Sequence, residues 1–171
     1  MIAASKMRRA QEMAQRSRPY SDRMREILAD LAAQPQDDEA LHALLQRREG
    51  DKLGLVHITP DRGLTGGLNT NLNRRSGQFI VERGGDASVV AVGRKGRDFM
   101  VRHGTDVRAV FMDLPDRPAL TDVSPIARLV IDDYAEGRID AVFITFAQCV
   151  STTVQRPVVQ PLLPVVPAEL R

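Results

Sequence analysis

The chain contains few of the residues that build disulfide frameworks, metal centres and stacking surfaces. Among its 171 residues are one cysteine, three histidines, no tryptophan and 4% aromatic residues. The single cysteine, Cys149, excludes an internal disulfide framework and a cysteine-rich zinc site. The histidines lie in separate segments and form no HExxH-type pair, so the sequence predicts neither a metal site nor a metal cofactor.

Long hydrophobic runs are also missing. The sequence has no stretch of about 18 apolar residues, the length that spans a bilayer, and no apolar signal segment at its start, so we expect no export. The net charge is only +2, and any basic surface must therefore be local. Apolar residues make up 43% of the chain, which supports one domain with a core and an appendage.

The first segment, residues 3–33, has no glycine and predicts one long helix. Apolar and small residues recur in it at alternating spacings of three and four, which is the pattern of a coiled-coil seam. This seam consists of Ala10, Met13, Ser17, Tyr20, Met24, Ile27 and Leu31. The other faces are mainly basic, so a nucleic-acid-binding arm is an alternative, although acidic residues interrupt the basic face and aromatic residues are scarce.

The rest of the chain alternates short β-branched runs with helical ones. Strands are predicted at 53–59, 88–92, 107–112 and 139–146, helices at 65–83, 96–103 and 122–136, and a final extended segment at 158–165. This order predicts an α/β fold with a Rossmann-like, mainly parallel sheet flanked by helices. Pro161 and Pro164 place the last segment at a sheet edge. We therefore expect a coiled-coil helix at 1–35, a linker with a short helix (39–48) at 36–51, and the α/β domain at 52–171.

Two glycine-containing loops follow the first two predicted strands. The loop at 59–67 precedes a helix, where α/β folds hold phosphate, but its spacing matches neither GxGxxG nor GxxxxGK[ST]. It is thus a nucleotide site or a tight strand-to-helix turn. The loop Gly93-Arg94-Lys95-Gly96 should lie on the same edge, and with Arg62 it forms a basic patch or a solvated turn.

The remaining reactive residues do not assemble into an active site. His57 falls in an apolar strand and is predicted to be a hydrogen-bonded core residue, with no serine or cysteine assigned to it by spacing. Cys149 has no assignable histidine partner and is predicted to be structural. We therefore predict no catalytic residues.

Several segments, in order along the chain, resemble the gamma subunit of F-type ATP synthases. They are MIAASKMRRAQ at the start, SRPY at 17–20, DRGLTGGLNTN at 61–71, GRKG at 93–96, YAEGR at 134–138, VST at 150–152, QRP at 155–157 and QPLLP at 160–164. The resemblance covers essentially the whole chain.

The resemblance implies a non-catalytic central-stalk (rotor) subunit of a proton-translocating ATP synthase, peripheral to the bacterial plasma membrane on its cytoplasmic side. Its partners would be the alpha and beta subunits of the catalytic ring, the epsilon subunit and the membrane c-ring, with no nucleic acid and no direct nucleotide binding. Residues implied to meet the ring are Lys6, Arg8, Arg9 and Met13. The signature loop and foot-side contacts would be Asp61, Arg62, Gly63, Gly66, Gly67, Asn69, Arg94 and Lys95.

The sequence departs from the family pattern in three respects. Thr65 stands where the family loop usually has cysteine, and no two-cysteine regulatory insert is present. The family's first helix begins upstream of Met1, and its long C-terminal helix would follow Arg171. The chain therefore resembles a gamma subunit truncated at both ends.

Overall fold

A computed structural model of the chain describes residues 2–33, 43–63, 66–151 and 153–165. The chain divides into two compact units, Met1–Leu45 with Val165–Arg171, and Gln46–Pro164. The second unit thus includes residues that the sequence analysis placed in a linker at 36–51. Of the short helix predicted at 39–48, residues 43–45 are helical, 46–48 are not, and the rest lies outside the described residues.

The first unit contains one long helix, α1, at Ile2–Ala32. Its 31 residues continue through Pro19 and span about 46 Å at 1.5 Å per residue. Every residue of the predicted seam is exposed, with Tyr20 at 70% and Met13 at 39%. In the described part of the chain, no helix combines the length and apolar character needed to cross a membrane.

The second unit is built on a five-stranded sheet in the order β3-β2-β1-β4-β5. The strands are β1 Leu53–Ile58, β2 Ser88–Val92, β3 Asp106–Phe111, β4 Ala141–Cys149 and β5 Gln155–Leu163. The first four are parallel and β5 pairs antiparallel to β4 at the edge. The predictions of a mainly parallel sheet and of an edge position for the last segment are confirmed.

Three helices connect the strands: α2 at Leu68–Glu82, α3 at Arg94–Arg102 and α4 at Leu120–Ala135. Right-handed crossovers place α2 and α3, which contact each other, on one face of the sheet and α4 on the opposite face. The helix predicted from residue 122 begins two residues earlier. Asp122 instead lies in its first turn, where its carboxylate accepts the Ala119 N–H at 2.7 Å.

The last two strands were predicted with the wrong ends. We expected strands at 139–146 and 158–165, whereas β4 extends to Cys149 and β5 begins at Gln155. The two strands form a hairpin, and their pairing continues from Phe146 to Cys149, beyond the last residue that β4 pairs with β1. Backbone pairing between the two strands extends them through residues such as Gln148, Gln155 and Arg156, which lack a strand-like hydrophobic pattern.

The core lies on both faces of β1 and β2. Five of the six residues of β1 are buried, as expected for a central parallel strand covered on both faces. Leu55, Val89 and Val142 on three adjacent strands are at most 1% exposed. This packing fixes the carboxyl ends of β1, β2 and β3 at one edge of the sheet, where both glycine-containing loops emerge.

Candidate functional site

Three loops meet at this edge, and we call their contact the loop clasp: residues 59–63 after β1, 93–96 after β2, and Asp113 after β3. Asp61 is its centre. One carboxylate oxygen, Oδ1, accepts the Arg94 N–H at 2.9 Å, and Oδ2 accepts the Asp113 N–H at 3.0 Å. Asp113 has φ 58°, a conformation that is uncommon outside glycine but tolerated by aspartate. Asp61 therefore links the ends of three strands.

Thr59 forms the second part of the clasp. Its N–H donates to Val92 O at 2.8 Å, and its hydroxyl oxygen accepts the Gly96 N–H at 2.7 Å. Gly93 has φ +105°, and a Cβ there would lie 1.8 Å from Thr59 O. Only glycine permits both this conformation and this approach.

The predicted basic residues lie around the clasp. Arg62 and Arg94 are exposed and Lys95 is half-buried. A Cβ added to Gly63 would be 3.8 Å from Lys95 Nζ, and the Asn69 side-chain amide donates to Arg62 O at 3.5 Å. The prediction that the two loops share one edge is confirmed, and the role of these residues as contacts stays a prediction.

The glycines before α2 are placed differently. Gly66 has φ +62° and no atom within 4 Å of an added Cβ, and Gly67 precedes the first residue of α2 without a side-chain cap. Leu64 and Thr65 lie outside the described residues.

His57 is the centre of a buried polar cluster below the clasp. Its Nε2 lies 2.7 Å from Asn73 Oδ1, and its Nδ1 lies 2.7 Å from Ser76 Oγ. Ser76 Oγ is in turn 2.9 Å from Thr145 Oγ1. The prediction of a hydrogen-bonded core histidine is confirmed, and Ser76 is a partner that sequence spacing did not assign to it. Asn73 and Ser76 are three residues apart and both lie on the buried side of α2. This spacing of two polar residues on one helix face is visible in the sequence.

This cluster has the connectivity of a serine–histidine pair but not its accessibility. His57, Ser76 and Thr145 are each 0% exposed, so no substrate atom can reach the hydroxyl groups. Desolvation lowers the pKa of His57 below its ordinary value, and the hydrogen bond to Asn73 opposes that shift. The ring is therefore a neutral structural group that joins β1, α2 and β4.

An open groove of about 980 Å³ lies between α2 and α3. Phe99 and Gly77 contribute to its lining, with Arg74, Lys95 and Arg102 as cationic side chains. Its acidic Asp98 is paired with Arg97 at 2.7 Å. Hydrogen bonding to Arg97 lowers the pKa of Asp98, and Glu82 and His103 also line the groove.

The other candidate residues remain separate from the clasp. Lys6, Arg8 and Arg9 are exposed on the first helical turns of α1. Cys149 is half-buried at the end of β4, and its thiol donates to Ser151 O at 3.3 Å. Among the described residues, no three histidine, cysteine or acidic side chains are grouped so that they could hold a metal ion.

The sequence analysis did not identify Arg48, which connects the start of the second unit to α4 by a hydrogen bond and a cation–π contact. Its guanidinium donates to the backbone carbonyl of Tyr134, and the guanidinium carbon lies 4.2 Å from the Tyr134 ring centroid. The Tyr134 hydroxyl donates to Gln46 O. Tyr134 is 0% exposed, so this anchor closes one side of the core.

Comparison with known proteins identifies relatives along nearly the whole chain. A family model described as ATP synthase matches residues 1–170. The chain is 52% identical over 170 residues to the ATP synthase gamma chain of Dehalococcoides mccartyi, covering 99% of this chain and 60% of that one. It is 41% identical over 169 residues to the ATP synthase gamma chain of Chloroflexus aurantiacus, covering 96% and 58%. The chain thus spans about 60% of the length of these curated relatives.

The fold is also similar to a solved structure. The central stalk and c-ring structure of the Tetrahymena thermophila mitochondrial ATP synthase contains a chain that matches with a TM-score of 0.75 at 20% identity. The match covers 96% of this chain and 70% of that chain. At this identity the similarity concerns the fold.

Proposed function

Since the chain belongs to the ATP synthase gamma chain family, we propose that it is a non-catalytic part of the central stalk of a proton-translocating F-type ATP synthase. In this role α1 forms part of the rotor shaft inside the ring of alpha and beta subunits. The α/β domain contacts the epsilon subunit and the membrane c-ring, on the cytoplasmic side of a bacterial plasma membrane. The chain would transmit rotation to the catalytic sites without binding nucleotide itself.

The observation that carries this proposal is the exposed seam of α1. Met13, Tyr20 and Ile27 lie along one stripe of the helix and are 39%, 70% and 42% exposed. A three-four stripe of this kind gains stability by packing knobs into the holes of a second helix. A helix of about 46 Å with such a stripe suits a shaft that pairs along its length.

The ring contact is proposed on charge. Lys6, Arg8 and Arg9 place three cations on the first turns of α1, where they add to the positive N-terminal end of the helix dipole. Such a cluster favours an acidic protein surface. At the domain end, Arg62, Arg94 and Lys95 around the loop clasp are the proposed foot-side contacts.

The test is co-expression with the alpha and beta subunits encoded by the same genome. We expect the chain to co-purify with them. Met13→Glu should reduce the recovered complex about tenfold, because assembly buries the seam and a buried charge there makes the free energy of association less favourable by more than about 1.4 kcal/mol. The matched control is Gln15→Glu, which adds the same charge about 200° around the helix at an exposed position. Equal loss in both variants, or no complex with the unmodified chain, would contradict the proposal.

The alternative is a phosphate- or nucleotide-binding protein that uses the loop at 59–67. Within this loop Asp61 and Thr59 accept backbone N–H groups at the start of α3, whereas the loop leads into α2, whose N-cap residue Gly67 has no side-chain cap. Titration with ATP and with a dinucleotide separates the two functions. Saturable binding at micromolar concentration to the isolated chain would favour the alternative.

A further inference from the structure

We propose that the Asp61 carboxylate is a built-in anion, which fills the anion-binding place at the N-terminus of α3 and closes this helix end to phosphate groups. The inference concerns the isolated chain. It therefore stands or fails independently of assembly into a rotor.

The first N–H groups of α3 are the basis of the argument. Helix N-terminal N–H groups lack partners within the helix and usually bind anions, side-chain caps or water. Here the loop after β1 satisfies three of them in succession. Arg94 N–H donates to Asp61 Oδ1 at 2.9 Å, Lys95 N–H to Pro60 O at 3.3 Å, and Gly96 N–H to Thr59 Oγ1 at 2.7 Å. The next, Arg97 N–H, already donates to Gly93 O at 3.3 Å.

The second part of the argument is the use of both carboxylate oxygens. The oxygen that does not face α3 accepts the Asp113 N–H at 3.0 Å from the segment after β3. A phosphate oxygen would need these same two N–H groups. Since carboxylate and phosphate oxygens are both strong anionic acceptors, Asp61 supplies from within the chain what a ligand would otherwise supply.

The surrounding charge fits an anion at this place. Arg62 and Lys95 belong to the same two loops, and Arg94 is the first residue of α3. The helix dipole adds a partial positive charge at the same end. This environment attracts an anion, and the carboxylate compensates part of it. Removal of the carboxylate therefore leaves two unpaired N–H groups near these three cations, with Asp113 as the remaining carboxylate of the clasp.

The test is chemical rescue of Asp61→Ala by small anions, with the thermal unfolding midpoint of the full chain as the readout. Loss of two charge-assisted hydrogen bonds lowers the midpoint by about 5 °C or more. We expect formate, which replaces the deleted carboxylate, and inorganic phosphate to restore at least half of the lost midpoint in a saturable manner. Chloride at equal ionic strength should not, and the unmodified chain should gain no more from phosphate than from chloride.

The matched control is Asp86→Ala. Asp86 is exposed and makes no hydrogen bond or ion pair among the described residues, so formate should change its midpoint no more than that of the unmodified chain. Recovery of Asp61→Ala in chloride alone would overturn the proposal, as would saturable phosphate binding to the unmodified chain.

A second measurement covers the case in which Asp61→Ala does not fold. Asp61→Asn keeps the shape but presents its NH₂ group to one of the two backbone N–H groups. Amide hydrogen exchange should accelerate at Arg94 and Asp113 and remain unchanged at Val89 in the core. Unchanged exchange at both sites would also overturn the proposal.

Discussion

Acidification should destabilise the α/β domain through His57. The ring is 0% exposed, and desolvation lowers its pKa in the folded chain. The unfolded chain exposes the same imidazole at its ordinary pKa of about 6.5. Below about pH 6.5, His57 of the unfolded chain binds a proton, whereas the buried ring of the folded chain stays neutral to lower pH. Because the unfolded state then binds more protons, stability rises with pH through this window and is lost as pH falls.

The magnitude follows from proton linkage. If the folded ring stays neutral, the loss is RT ln(1 + 10^(6.5 − pH)), which is negligible at about pH 7.5 and reaches about 1.4 kcal/mol at about pH 5.5. Any protonation of the folded ring within this window makes the loss smaller. The carboxylates contribute chiefly at lower pH, because their ordinary pKa values are near 4.

The assay is urea unfolding followed by circular dichroism between about pH 5.5 and pH 7.5. His57→Gln lacks the titratable ring, so it should be less stable overall but should lose most of the pH dependence. His103→Gln, a change at an exposed histidine, is the control and should keep the slope of the unmodified chain. A slope in His57→Gln equal to that of the unmodified chain would refute the reasoning, as would stability that increases on acidification.

Two further changes test the packing that forms the site. Gly93→Ala should lower the free energy of unfolding in urea by more than about 3 kcal/mol, because the added Cβ would lie 1.8 Å from Thr59 O. Gly84 has nearly the same φ but open space around it, so Gly84→Ala should lower that free energy by only about 1 kcal/mol. Equal costs would contradict this steric argument. Arg48→Ala should cost about 2 kcal/mol, since the buried Tyr134 carbonyl loses a donor and the ring loses its cation. A cost of Arg48→Lys as small as that of an exposed arginine, Arg128→Lys, would contradict the role of the planar guanidinium.

The sheet could be predicted because its determinants are local. Alternation of β-branched runs with helical runs gave the parallel order, and Pro161 in the last segment placed β5 at the edge. The ends of β4 and β5 could not be predicted in the same way. Pairing such as Cys149 with Gln155 depends on the partner strand, and it adds residues that carry no periodic signal of their own.

The loop clasp could be predicted in place but not in detail. Parallel strand order brings the two loops to one edge, and the sequence analysis placed Arg62 and Lys95 there. The role of Asp61 depends on N–H groups 33 and 52 residues away. Because every residue except proline has a backbone N–H, the sequence does not indicate which carboxylate will accept a hydrogen bond from a given one.

The hydrogen bonds at and below the loop clasp fit the proposed stalk role of this domain. Two polar side chains with reactive potential, His57 and Ser76, are buried and hydrogen-bonded to one another, and the Asp61 carboxylate accepts hydrogen bonds from the domain's own backbone. Each of these bonds joins separate strands or helices and therefore stiffens the sheet edge. The side chains exposed there include the cations Arg62 and Arg94 and the carboxylate of Asp113, on loops held in place by those bonds. A part that transmits force needs a rigid surface, and these bonds would supply that rigidity in the proposed stalk.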